Sequence, residues 1–338
     1  MLFTSSAHIA ELITALPAID NAAQQQALDR QAELTKPPGS LGKLEKLAVW
    51  VAGWHGAVKP QITHGQCLIF AGNHGVVAQG ISPFPPVVTG QMVANFTAGG
   101  AAINQLCDQA DLKLSVIPLE LDRPTNDLST GPAMSEQEVL DAMNAGAVAL
   151  DNECDYLIVG EMGIGNTTAA AALCMGRFGG DAGRWVGPGT GLDEEGVNHK
   201  ADVVAAAIAL QDRQNSSATA LLGAYGGREL AAIAGAVLAA RMRRIPVMLD
   251  GFISTAAAAA LTAGDNLAVL DHCEISHMSA EPGHLRLAVA LRKQPIVDLG
   301  MRLGEGSGAA VATLLLRAAL ATHNGMATFA EAGVESGE

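Results

Sequence analysis

Apolar residues recur at three- and four-residue steps through Leu41-Gly42-Lys43-Leu44-Glu45-Lys46-Leu47-Ala48-Val49-Trp50-Val51, the period of an α-helix. Residues 7 to 55 read throughout as helices, broken by the turn Lys36-Pro37-Pro38-Gly39-Ser40. After that the texture changes. Short apolar, β-leaning runs at 67–70, 114–119, 156–159, 246–249, 267–270 and 295–299 predict strands. Between them lie Ala-rich helical stretches at 91–106, 168–178, 200–210, 229–241 and 281–291. Apolar runs without polar alternation are what strands covered on both faces look like, so the pattern predicts an α/β fold with a mostly parallel, doubly wound sheet. The helix starting near Gly308 and the tail to Glu338 hold no further strand. We expect them to fold back on the N-terminal helices, giving a small helical domain of residues 1–60 plus 308–338 beside a large α/β domain of residues 61–307.

Composition narrows the function classes. The formal net charge of −14 disfavours nucleic acid as a partner, because phosphate-backbone surfaces need clustered Lys and Arg; a small anionic substrate needs only a few local donors. The five cysteines are scattered, odd in number and never spaced as CxxC, so they read as buried free thiols. The N-terminal stretch MLFTSSAHIAELITAL lacks a basic n-region and reads as an amphipathic helix, not a signal peptide. The longer apolar stretches are interrupted by Gly, Arg or Asp, so no membrane span is expected and the cytoplasm is the natural compartment.

In open parallel sheets, ligands bind beyond the carboxyl ends of the strands. Five glycine-rich segments stand where such exits are expected: Ala71 to Gly75, Gly160 to Thr168, Gly187 to Gly191, Asp250-Gly251-Phe252 and Gly300 to Gly308. Together they would outline one extended pocket. Gly163-x-Gly165-x-x-Thr168 departs from a dinucleotide fingerprint at its last position, and no acidic ribose ligand follows on a later strand. It reads as a phosphate nest of backbone N–H groups with Asn166, Thr167 and Thr168 at a helix N-terminus, or as a glycine turn with Thr168 as a plain cap. Lys200, expected to open a helix after the Gly187–Gly191 loop, is either the phosphate's countercharge or a solvated surface lysine.

Glu305 has glycine on both sides. It is a candidate general base, since a carboxylate in an apolar pocket has a raised pKa suited to proton abstraction near neutrality; a capping or surface role is the alternative. Glu161, at the neighbouring exit, would be a second acid group in that pocket. His74 is a candidate acid or base, or a hydrogen-bonded structural histidine. His272, Cys273, His277 and His284 lie close in sequence but fit no common zinc spacing, and no Asp-rich stretch for a magnesium–diphosphate complex is evident, so neither metal nor cofactor is expected.

Lys36-Pro37-Pro38-Gly39-Ser40-Leu41-Gly42, Gly160 to Thr168, Asp250-Gly251-Phe252 and Met301 to Gly308 closely resemble, in order and over essentially the whole chain, the nicotinate-nucleotide–dimethylbenzimidazole phosphoribosyltransferases. The resemblance implies a Rossmann-like large domain, a small helical domain from both chain ends and a homodimer. It also implies a reaction: transfer of phosphoribose from β-nicotinate mononucleotide to 5,6-dimethylbenzimidazole, giving α-ribazole 5′-phosphate and nicotinate for the lower nucleotide loop of cobalamin. The family's catalytic base falls on Glu305, and Glu161, Gly163, Gly187 and Lys200 fall on positions lining the nucleotide site. Gly189, Ser82, Phe84, Gln91 and Leu303 complete the set of expected substrate-binding residues. Two segments depart from the family's pattern. Asn73-His74-Gly75 stands where many relatives have Asp-His-Gly, and Ser82-Pro83-Phe84-Pro85-Pro86 differs from a Ser-Pro-Lys pattern beside the expected acceptor pocket.

Overall fold

The computed structural model describes residues 2–211 and 216–335. In chain order it contains α1 (Ser6–Thr14), α2 (Asn21–Glu33), α3 (Lys43–His55), β1 (Gly65–Ala71), α4 (Val87–Thr97), α5 (Ala102–Ala110), β2 (Lys113–Pro118), α6 (Glu136–Ala149), β3 (Tyr156–Met162) and α7 (Asn166–Phe178). These are followed by α8 (Glu194–Gln211), α9 (Ala218–Tyr225), α10 (Arg228–Met242), β4 (Val247–Leu249), α11 (Gly251–Ala259), β5 (Cys273–Ile275), α12 (Pro282–Ala290), α13 (Ser307–Gly325) and α14 (Phe329–Ala332). The strands form one parallel sheet in the order β2-β1-β3-β4-β5. No described helix is long and apolar enough to cross a membrane.

The two-residue period of a strand sorts its side chains between two helical layers. Leu68 and Phe70 of β1, Leu157 and Val159 of β3, and Val247 and Leu249 of β4 pack into one core with residues of α6, α7, α9, α10 and α11. Cys67 and Ile69, Tyr156 and Ile158, and Met248 face the other way, against α3, α5 and α13. Every residue of β1 is buried, which is why the run carries no polar alternation. The five cysteines are all buried and free.

The two chain ends meet. Arg30 donates to the carbonyls of His323, Asn324 and Met326 at the end of α13, and Leu34 forms an antiparallel bridge with Thr328. Helix α1 does not join them. Phe3 and Ile9 sit in the core on the α6 side, where Asn144 both donates to and accepts from the Phe3 backbone. The tail beyond residue 335 lies outside the described residues.

Three predicted elements differ. Residues 267–270 form a short 3-10 turn and not a strand; the strand is β5, a few residues later. A short apolar run has no period of its own, and here Val269 and Leu270 fill the core as a turn. The run 295–299 forms no strand but one isolated parallel bridge, Val297 to His277, with the Ile296 N–H donating to the Ile275 carbonyl of β5. The predicted helix 91–106 is two helices, α4 and α5, because Gly99 takes a φ of +79° that ends the first.

Candidate active site

A cavity of about 310 Å³ opens beyond the carboxyl ends of β3 and β4. Among the expected site residues, Phe84, Glu161, Gly163, Asn166, Thr167, Gly189, Leu303 and Glu305 line it. Ser82 and Gln91 do not: Ser82 Oγ accepts from the Phe84 N–H, and Gln91 is exposed on α4. Gly187 and Lys200 stand one layer behind the lining.

The backbone around Glu305 is unusual. Gly304, Glu305 and Gly306 have φ values of +78°, +60° and +76°, three left-handed residues in a row. For a glutamate that conformation costs of order 1–2 kcal/mol, so neighbouring contacts must hold it. Asp250, the residue after β4, supplies part of that hold. Its Oδ2 accepts from the Gly306 N–H at 3.0 Å and its Oδ1 from the Ala309 N–H at 3.0 Å. From the sheet side β3 presses on the same loop, since a β-carbon at Gly160 would run into the Gly306 backbone. Close packing leaves the Glu305 carboxyl mostly out of water, and burial, reinforced by the negative charge of Asp250, raises its pKa to about 7.

Glu161, near the end of β3, is buried against this loop and accepts from the Asn166 side-chain amide. Burial pushes its pKa well up, the charges of Asp250, Glu229 and Glu305 add to the effect, and the Asn166 bond opposes it. On the far wall, Glu281 precedes α12 and is buried too; burial raises its pKa while Lys200 opposes the shift. Arg302, from the Glu305 loop, donates to the Gly189 carbonyl at 3.3 Å and so bridges two loops across the cavity.

Gly165 caps α7 with a φ of +93°, and α7 begins at Asn166 with Thr167 in the cavity wall. The Thr168 hydroxyl is buried with no hydrogen-bond partner. Lys200 lies inside α8, not at its start, and is fully buried, which excludes the solvated reading. Its Nζ donates to Thr167 Oγ1 at 3.2 Å and to the Gly187 carbonyl at 3.0 Å. Burial lowers its pKa, with Glu281 pulling the other way. Lys200 therefore reaches the cavity through Thr167 and the Gly187–Gly189 backbone.

Only three of the five glycine segments are strand exits, those after β1, β3 and β4. The Gly187 loop follows a 3-10 turn and the Glu305 loop follows the bridged segment, yet both line the cavity. The first exit does not. His74 is turned inward, its Nε2 2.5 Å from Glu229 Oε1 and both groups buried, so it is a structural histidine. The Lys36–Gly42 turn also lies away from the cavity, held by the Lys36–Glu45 ion pair at 2.8 Å. His272 pairs with the Val237 carbonyl, whereas His277 faces Asp250 and the cavity; among the described residues no three His, Cys, Asp or Glu side chains gather as a metal site. Asp250 and Arg302 lie in two of the segments expected at the pocket rim but carried no expected role, and His277, Ser279 and Glu281 were not expected there; all five are in the lining. The only available signal was proximity to a glycine exit for Asp250 and Arg302; Glu281 reads as a helix start because Pro282 follows it.

The parallel α/β sheet carries buried carboxylates at its carboxyl edge, and a phosphoribosyltransferase family model matches residues 16–334, which places the chain among group-transferring enzymes. The nicotinate-nucleotide–dimethylbenzimidazole phosphoribosyltransferase of Ruegeria sp. (strain TM1040) is 54% identical over 321 residues, 95% of each chain. That of Novosphingobium aromaticivorans is 54% identical over 335 residues, 99% of each chain. The crystal structure of CobT from Thermus thermophilus superposes with a TM-score of 0.87 at 40% identity, covering 94% of this chain and all of that one. The chain belongs to the nicotinate-nucleotide–dimethylbenzimidazole phosphoribosyltransferase family, and it is a glycosyltransferase-type enzyme.

Proposed function

We propose that this enzyme transfers the phosphoribosyl group of β-nicotinate mononucleotide to 5,6-dimethylbenzimidazole, with inversion at C1′ and Glu305 as general base, in the assembly of the cobalamin lower ligand. The observation that carries the proposal is the Glu305 carboxyl: buried in the cavity wall on a strained loop, with a pKa of about 7.

A base with that pKa is half deprotonated near neutrality, which suits removal of the azole N–H proton as the other ring nitrogen attacks C1′. The C1′–N bond to nicotinate breaks as the new C1′–N bond forms on the opposite face. The pyridinium takes the bonding electron pair and leaves as nicotinate, needing no acid on that side. The remaining work is positioning. The start of α7, Thr167 and the Gly187–Gly189 backbone, backed by Lys200, suit the 5′-phosphate. Phe84 and Leu303, both substantially exposed apolar side chains in the lining, suit a flat aromatic acceptor. Glu161 stands beside the base as a second acid group. We further propose a homodimer acting in the cytoplasm, with residues 1–60 and 308–338, except α1, which packs on the α6 side, as a small helical domain and 61–307 as the large one.

An acceptor panel tests this reading. With nicotinate mononucleotide, and nicotinate release as the readout, dimethylbenzimidazole should be turned over with a higher kcat/KM than benzimidazole, adenine or a phenol. Preference for another azole or a purine would support the second reading, a changed acceptor, which the Phe84 segment favours. Release with none of them would refute transfer to a base.

A further inference from the structure

Helix α13 begins without a cap of its own. Its N-cap is Gly306, which has no side chain, so the N–H groups of its first turn lack the usual local acceptor. Asp250 provides one from another part of the chain. It is itself the N-cap of α11 but makes no side-chain bond there; its carboxylate turns away to the α13 terminus. Both bonds fall just after the base: Gly306 follows Glu305 directly and Ala309 lies in the first turn of α13. Asp250 is 1% exposed, so the contact is not shared with water. We propose that Asp250 is a positioning residue for Glu305, clamping the left-handed loop onto the end of α13 and setting a second negative charge behind the base.

Both halves of the role follow from the geometry. A carboxylate at a helix N-terminus is stabilised by the free N–H groups and the positive end of the dipole. Bonds to the N–H groups of Gly306, Gly308 and Ala309, together with His277 facing Oδ1 at 3.6 Å, oppose the upward push of burial on the Asp250 carboxyl. Burial prevails and the Asp250 carboxyl lies above its ordinary range; in its ionised form it disfavours a second charge on Glu305. Other charged or titratable groups round the cavity are Glu161 from β3, His277 from the segment after β5, Glu281 before α12 and Arg302 from the loop itself. Besides burial, Asp250 is the group that raises the pKa of Glu305.

The proposal rests on Glu305 being the base, and the experiment separates the two ideas. The pH dependence of kcat for nicotinate release is measured for the native enzyme, Glu305→Gln and Asp250→Asn. The Asn variant keeps the shape, removes the charge and can retain only part of the acceptor capacity. We expect its acidic limb to move to lower pH by about one unit, its plateau kcat to fall about 10- to 100-fold, and its KM for nicotinate mononucleotide to stay within about threefold. A purely structural residue would lower the rate without moving the limb. An unmoved limb in Asp250→Asn, with Glu305→Gln inactive, overturns this proposal alone; an active Glu305→Gln with a native limb overturns the base reading itself. Should Asp250→Asn fail to fold, Asp250→Ser is measured the same way. Failure of both to fold would also overturn the proposal, making Asp250 a requirement of the fold.

Discussion

Glu161 and Gly304 stand so close that a β-carbon at position 304 would lie 2.5 Å from Glu161 Oε1. The residue before Glu305 is glycine for want of room as well as for its φ of +78°. The second acid of the cavity thus buttresses the loop that carries the first. Gly304→Ala should therefore cost about 1–3 kcal/mol of stability and at least about tenfold in kcat, by moving the base. Thermal unfolding and nicotinate release check it; a native rate would show that the loop tolerates displacement.

Glu305→Gln should lower turnover by about 10²–10⁴ while leaving nicotinate mononucleotide binding largely intact, because the amide keeps the volume but cannot take a proton. In the native enzyme the rate should rise with pH through about 7, where the Glu305 carboxyl ionises. A burst-phase and calorimetric comparison of the two proteins settles it, and near-native turnover would refute the assignment.

The same carboxyl affects stability, with a definite sign. Its folded-state pKa of about 7 lies above the ordinary 4.5, so the folded chain binds the proton more tightly than the unfolded one. Its stabilising contribution is complete below about 4.5 and is lost as pH rises through about 7. Glu305→Gln removes the charged form. Its melting temperature should match the native protein's near pH 4.5 and exceed it by about 2–4 °C at about pH 8. An equal difference at both pH values would contradict the shift.

Lys200→Ala should raise the Michaelis constant for nicotinate mononucleotide about tenfold with a smaller loss of kcat. Lys200 donates to Thr167 Oγ1 and the Gly187 carbonyl from behind, holding the backbone that we propose receives the phosphate. Steady-state kinetics varying the mononucleotide is the check, and an unchanged constant would remove the phosphate role.

Phe84→Ala should raise the Michaelis constant for the acceptor about three- to tenfold and leave that for the mononucleotide alone, since Phe84 is an exposed apolar ring in the cavity lining that we propose faces the acceptor. Equal effects on both constants would place the ring elsewhere in the reaction.

Much of this protein was legible in its chain. The β1 and β3 runs announced strands buried on both faces, because a covered strand needs apolar side chains at every position. Glu305 between two glycines and the Gly163–Thr168 turn marked the site, because left-handed backbone and close approach leave their requirement in the residue type. Other features were illegible for a physical reason: they depend on which segments meet. The 267–270 run and β5 are too short to show a period, and only core space chose between turn and strand. Lys200 reads as a surface lysine until α8 buries it behind Thr167. Asp250 meets Glu161 and the Glu305 loop because β4 pairs with β3 and α13 starts above both, a neighbourhood made by strand order alone. Local sequence thus determined the elements and the residue proposed to carry the proton chemistry. The tertiary structure decided the environment that suits that residue to act as a base, because burial and neighbouring charge are properties of the assembled sheet.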